Sequence, residues 1–246
     1  MADGWVSLRL LRECIRRLNR SYRALPPDVL RRWWGTLAGG LAAVFALTLA
    51  MVALGERLEA AGALAWERQV LRAFVDAAPV TFNTAMWMDA AGNGLVLWLG
   101  VLTFAALAAW HGYALRALTL LVGFTAAYLP FVAGWLLWER TRPMEVAAGI
   151  ASPGGLHSFP SGHVVQAAVA FGILAHLWAS AAPRRAEAVL AWTIASAGVA
   201  AVVVARLRLG AHWPTDVAGG AILGAAWLAV LVVALRRAEG PAPGLA

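Results

Sequence analysis

Lysine is absent from this chain of 246 residues: all twenty basic residues are arginine. Cysteine occurs once, at Cys14, which excludes an intrachain disulfide framework and leaves no thiolate cluster for zinc. Charge is scarce, at 13% of residues against 61% hydrophobic. What fills the chain instead is a series of apolar runs, each near the roughly 20 residues that cross the hydrocarbon of a bilayer. The length suits one domain, and the composition excludes an ordinary soluble one. The net charge of +7 would suit a nucleic-acid binder, but the arginines crowd at the ends of apolar runs and leave no soluble basic face. The basic excess therefore reads as membrane orientation, with no nucleic-acid partner.

The expected architecture is all-α, an integral membrane six-helix bundle with spans near 34–55, 92–110, 116–138, 161–180, 187–206 and 213–235. Breaks such as HGYALR at 111–116 and AAPRRAE at 181–187 separate them, and Trp33, Trp34, Trp110, Trp138 and Trp213 sit at interface positions. Residues 1–33 carry eight arginines and an apolar stripe of Trp5, Leu8, Leu11, Ile15, Leu18 and Tyr22. Two readings stay open for them: a basic amphipathic helix on an anionic membrane surface, or a solvated tail that sets orientation. No short apolar core with a cleavage site follows the charges, so a targeting peptide is not expected. Residues 236–246 form a second cytoplasmic tail, and EGPAPGLA at its end reads as disordered. The distribution of arginine places both termini in the cytoplasm and the loops 56–91, 139–160 and 207–212 outside. The 56–91 segment is too polar to span. It reads as a packed connector, with a short amphipathic helix at the entrance to a head-group site as the alternative.

Three polar clusters then fall on one face of the membrane: ERTRP at 139–143, FPSGH at 159–163 and ARLRLGAHWPTD at 205–216. Arg140, Arg142, Arg206 and Arg208 offer forks of N–H donors suited to phosphate oxygens. Ser161 and Gly162 open an apolar helix, where backbone N–H groups favour an anion and glycine permits close approach. His163 and His212 are the candidates for proton transfer or nucleophilic attack. Asp216 follows His212 by four residues, a spacing that lets a carboxylate hold one imidazole nitrogen and free the other. Taken singly, each feature has a structural explanation: anchoring arginines, a helix cap, a capping acid. His157 reads as a solvated loop histidine, and His111 and His176 as structural.

These residues resemble the type-2 phosphatidic acid phosphatase superfamily, the lipid phosphate phosphatases, whose motifs run K-x6-RP, PSGH and SR-x5-H-x3-D. Here the second is complete as Pro160, Ser161, Gly162 and His163. The third is present as Arg206, His212 and Asp216, and the first keeps Arg142 and Pro143. Motif order and span layout match over residues 34–235. Two positions depart: Trp135 stands where the motif has lysine, and Ala205 where it has serine.

The resemblance implies a phosphatase site at the outer face of the bundle. His212 would be the nucleophile that forms a phosphohistidine, Asp216 its orienting carboxylate, and His163 the acid for the leaving lipid oxygen. Arg142, Arg206, Ser161 and the Gly162 backbone would hold the phosphoryl oxygens, with Arg140 a candidate to replace the missing lysine. It implies a membrane protein of the bacterial cytoplasmic membrane that needs no cofactor and no metal. Its substrate would be a lipid phosphate or lipid diphosphate. The alternatives are a non-catalytic lipid-phosphate binding or transport protein, or a lipid phosphotransferase, on the same scaffold.

Overall fold

The computed structural model describes residues 2–77, 80–143 and 157–239, with side chains from residue 9 onward. The last residues of the expected disordered tail, 240–246, and the side chains of Trp5 and Leu8 in the N-terminal stripe lie outside what is described. Among the described residues there are ten helices and no strand. In order they are α1 Ala2–Arg23, α2 Pro27–Ala60, α3 Trp66–Ala77, α4 Phe82–Ala91 and α5 Gly94–Trp110. They continue as α6 Ala114–Ala126, α7 Tyr128–Leu137, α8 Gly162–Ala181, α9 Arg185–Arg208 and α10 Pro214–Glu239. Six stretches among the described residues are long and apolar enough to cross a membrane: α2, α4 with α5, α6 with α7, α8, α9 and α10.

The helices overrun the apolar cores read from the sequence. α2 starts at Pro27, where the ring's fixed φ suits the first turn, and carries Asp28 in that turn and Arg57 in its last. Charged residues at such ends complement the helix dipole without entering hydrocarbon. Both expected domain boundaries therefore fall inside helices, residue 33 within α2 and residue 236 within α10. The polar 56–91 segment holds the end of α2, all of α3, and α4, which runs on into the second span after a break at Asn93.

α8 lies at the centre: 61% of its apolar window is buried, against 22% for α2 and α9. It packs chiefly on α9 and α10. Glycines on α10 bring the backbones together, as expected where helices associate in lipid. A Cβ on Gly220 would stand 2.7 Å from the Ser161 carbonyl, and one on Gly224 3.0 Å from that of Val165. Indole donors are satisfied inside the bundle, Trp33 on Thr119 Oγ1 at 3.0 Å and Trp227 on the Gly123 carbonyl at 2.7 Å. At the end of the bundle marked by Trp110, α1 packs on α5 and α6. Arg17 there stacks on Trp110 and donates to its carbonyl, while Leu10, Leu11 and Ile15 remain exposed.

Candidate active site

The opposite end gathers the polar clusters. α9 closes with a Schellman motif: Ala211 N–H donates to the Arg206 carbonyl (3.1 Å) and Gly210 N–H to that of Leu207 (3.0 Å). Gly210 takes φ +60°, which an L side chain resists. The turn reverses the chain and delivers His212 and then α10. Pro214 opens that helix, and Asp216 in its first turn accepts from the backbone N–H of Trp213 at 2.8 Å.

His212 is 1% exposed and Asp216 is fully buried. His212 Nδ1 lies 3.6 Å from Asp216 Oδ2, just beyond a hydrogen bond, and Nε2 lies 3.4 Å from Arg142 Nη1. A guanidinium has only donors, so Nε2 is the accepting nitrogen. The partners thus assign the ring proton to Nδ1, on the Asp216 side. Burial is the main reason that the His212 imidazole is pushed down from 6.5 to about 3. Asp216 pulls the other way, and Arg206 and Arg142 add to the lowering. The ring is neutral at physiological pH, with a lone pair on the nitrogen that faces Arg142.

Arg142 donates to the Ala211 carbonyl at 2.9 Å and to the His157 carbonyl at 3.4 Å. Burial and the neighbouring Arg206 bring its guanidinium down to about 10, which leaves it charged at neutral pH. His157 enters the site through that carbonyl. Ser161 precedes α8 without capping it, and its buried Oγ has no hydrogen-bond partner among the described residues. Its N–H donates to the Asp216 carbonyl at 3.0 Å, which ties the start of α8 to the first turn of α10. Arg206 Nη1 donates to both oxygens of Asp89, at 2.9 and 3.1 Å, while its buried Nε has no partner among the described residues. His163, half-buried, faces the same Asp89 with Nε2 at 4.0 Å. Arg208 is spent elsewhere, on the Val80 carbonyl at 3.1 Å.

Arg140 departs from expectation. It is 3% exposed, donates Nη1 to Asp216 and to Thr215 Oγ1, and donates Nη2 to Glu67. Trp138 and Trp213 stack on its faces. Its terminal donors are committed to two carboxylates, so it does not offer the phosphate fork that would replace a lysine. Trp135, at the lysine position, donates its indole N–H to the Pro160 carbonyl at 2.9 Å. Its ring lies 3.0 Å from where a Cβ on Gly162 would stand, so only glycine fits there without displacing it.

Three polar residues escaped the sequence reading. Ser158 donates its hydroxyl to Asp216 Oδ2. Glu67 of α3 is buried; besides Arg140 it accepts from Thr215 N–H at 2.9 Å and Oγ1 at 2.7 Å, so it caps α10. Asp89 of α4 holds Arg206. Ser158 directly precedes the FPSGH cluster, but Glu67 and Asp89 come from a segment read as connector, and no local spacing links them to the motifs. The assembled site has a neutral imidazole nitrogen faced by a guanidinium. The buried Ser161 hydroxyl and the buried Arg206 Nε–H have no partner among the described residues. Such a set suits a tetrahedral oxyanion.

Comparisons with known proteins bear on the fold and the family. No curated protein sequence matches the chain. Among solved structures, its fold is similar to the crystal structure of the first transmembrane PAP2 type phosphatidylglycerolphosphate phosphatase from Bacillus subtilis. The TM-score is 0.63 at 21% identity, over 78% of this chain and 93% of that one, a likeness of fold alone. The pattern of the PAP2 superfamily matches residues 116–239, a segment that contains Arg142, Ser161, Gly162, His163, Arg206, His212 and Asp216, and the chain belongs to that superfamily.

Proposed function

We propose that this protein is a membrane lipid phosphate phosphatase that hydrolyses a phosphomonoester or diphosphate lipid through a phosphohistidine on His212. The observation that carries the reading is the state of His212. Its buried, neutral ring has Nε2 exposed to Arg142 and Nδ1 backed by Asp216, beside unpartnered donors on Ser161 and Arg206. In the first step Nε2 attacks phosphorus, and the equatorial charge falls on Arg142, Arg206, Ser161 and the first-turn N–H groups of α8. His163 gives a proton to the departing lipid oxygen. Water then attacks the phosphohistidine, loses its proton to His163, and phosphate leaves. Arg140 acts behind the site, as the cation that fixes Asp216. The arginine bias of the two ends supports a site on the outer face with both termini in the cytoplasm.

Phosphatidic acid, phosphatidylglycerol phosphate and undecaprenyl diphosphate are the substrates to try first. Purified protein should release phosphate from at least one of them with chelator present, and His212→Ala should lower release at least about 1,000-fold, as loss of a covalent nucleophile does. Equal release by a folded His212→Ala protein would sink the assignment. A second reading, binding without turnover, is favoured by one observation: the lysine position holds a tryptophan whose only polar group is tied to Pro160. It predicts lipid-phosphate binding with no phosphate release by the wild type.

A further inference from the structure

Asp89 stands outside every motif that the sequence displays, yet two motif side chains converge on it. Arg206 engages it through two hydrogen bonds, at 2.9 and 3.1 Å, and His163 Nε2 lies 4.0 Å from its Oδ2. All three side chains are largely withdrawn from solvent: the His163 side chain keeps 30% of its exposure, that of Asp89 16% and that of Arg206 9%. The charged groups that face His163 are Arg206 from α9, Arg142 from the segment after α7, and Asp89 from α4. Two of them are cations that oppose a proton on the imidazole. The carboxylate is the one facing group of opposite sign among the described residues. Among the described residues, the other ring nitrogen, Nδ1, has no hydrogen-bond partner.

The arrangement repeats the logic of His212 and Asp216 with the nitrogens exchanged. There a carboxylate faces Nδ1 and leaves Nε2 for phosphorus; here a carboxylate faces Nε2 and leaves Nδ1 for the leaving group. A distance of 4.0 Å exceeds a hydrogen bond, as such contacts often do before substrate tightens the site.

We propose that Asp89 is a positioning residue for proton delivery: it holds the Nε2–H of His163 and stabilises the imidazolium, so that Nδ1–H faces the leaving oxygen. The role rests on the phosphatase reading and deepens it. As His212 Nε2 bonds to phosphorus and the P–O bond to the lipid breaks, the Nδ1 proton passes to the lipid oxygen and an alcohol departs. His163 is left neutral, still protonated on Nε2 toward Asp89. When water attacks the phosphohistidine, its proton returns to Nδ1, the N–P bond breaks, and phosphate leaves with the site restored. The same carboxylate orients Arg206, so one residue sets both a phosphate-holding cation and the acid.

Asp89→Asn keeps an oxygen to accept from Arg206 and removes the charge. It should be assayed in the full-length protein on two substrates: a lipid alkyl phosphate, whose leaving oxygen needs a proton, and p-nitrophenyl phosphate, whose leaving group departs as an anion. The expected result is a loss of kcat at least about tenfold greater on the alkyl phosphate, a fraction of what a general acid contributes. The differential should vanish when the change is made in a His163→Ala background. Equal losses on both substrates, or none, would overturn the role of Asp89 and leave the phosphatase reading standing. A wild type that hydrolyses neither substrate would overturn both. A second test needs no variant. The ring 15N shifts of His163 in histidine-labelled wild-type protein should show Nε2 protonated, and a bare Nε2 would overturn the pairing.

Discussion

Keeping a histidine uncharged inside a membrane bundle carries a cost that pH exposes. Burial holds the His212 imidazole at about 3, whereas the group in an open chain titrates near 6.5. Between those values the unfolded chain binds a proton that the folded one refuses, so stability is full above 6.5 and falls as pH drops toward 3. His212→Asn should therefore flatten the acid dependence of thermal stability in that window, measured by unfolding of the detergent-solubilised protein. An unchanged slope would mean that His212 is not the buried neutral base described here. Arg140 and Glu67 make a second case. Arg140→Met strands two buried carboxylates and should cost about 3–5 kcal/mol, as breaking a buried pair does. Adding Glu67→Leu removes one of the stranded charges and should restore much of that stability, while turnover stays low because Asp216 has lost its cation. Arg142 and Pro143 were recognisable as a motif remnant, but the task of Arg140 was not. Its two carboxylates lie 73 and 76 residues away along the chain, a separation that no periodicity encodes.

At the scale of elements, the site is built on one close helix contact and one turn. Gly220 lets the first turns of α8 and α10 meet, and at that contact the Ser161 N–H donates to the Asp216 carbonyl. The nearest atom to a Cβ on Gly220 is backbone, the Ser161 carbonyl at 2.7 Å, and cannot swing aside. Gly220→Ala should cost about 1–3 kcal/mol by overpacking. It should also lower phosphate release beyond what that destabilisation explains, because it parts Ser161 from Asp216; activity measured well below the melting temperature checks this. The helices themselves were legible because apolar runs near span length admit few other states, and their ends were set too short because arginines and acids at helix termini read as loop. The partners of the connector at 56–91 stayed hidden for a related reason. A helix that packs by one buried acid, as α3 does through Glu67 and Leu71, has too little apolar surface to announce its partner.

Across the whole molecule, family membership and a six-span fold leave the reaction to rest on where the ends of five helices and one loop converge. The motifs could be read because PSGH and R-x5-H-x3-D are compact, each within one turn or one helix junction. The carboxylates Glu67 and Asp89 arrive from α3 and α4 across the fold, and only the packing of those helices against α9 and α10 places them. The loss of lysine is answered by neither Arg140, whose donors face inward, nor Trp135, so in the proposed reaction the cationic hold on phosphate falls to Arg142 and Arg206. The proposed reaction therefore turns on the bond between His212 Nε2 and phosphorus. Protein turned over briefly with a 32P-labelled lipid phosphate and quenched in alkali should carry an acid-labile, base-stable label on His212, absent from His212→Ala. Phosphate release with no label, or with the label on another residue, would contradict it.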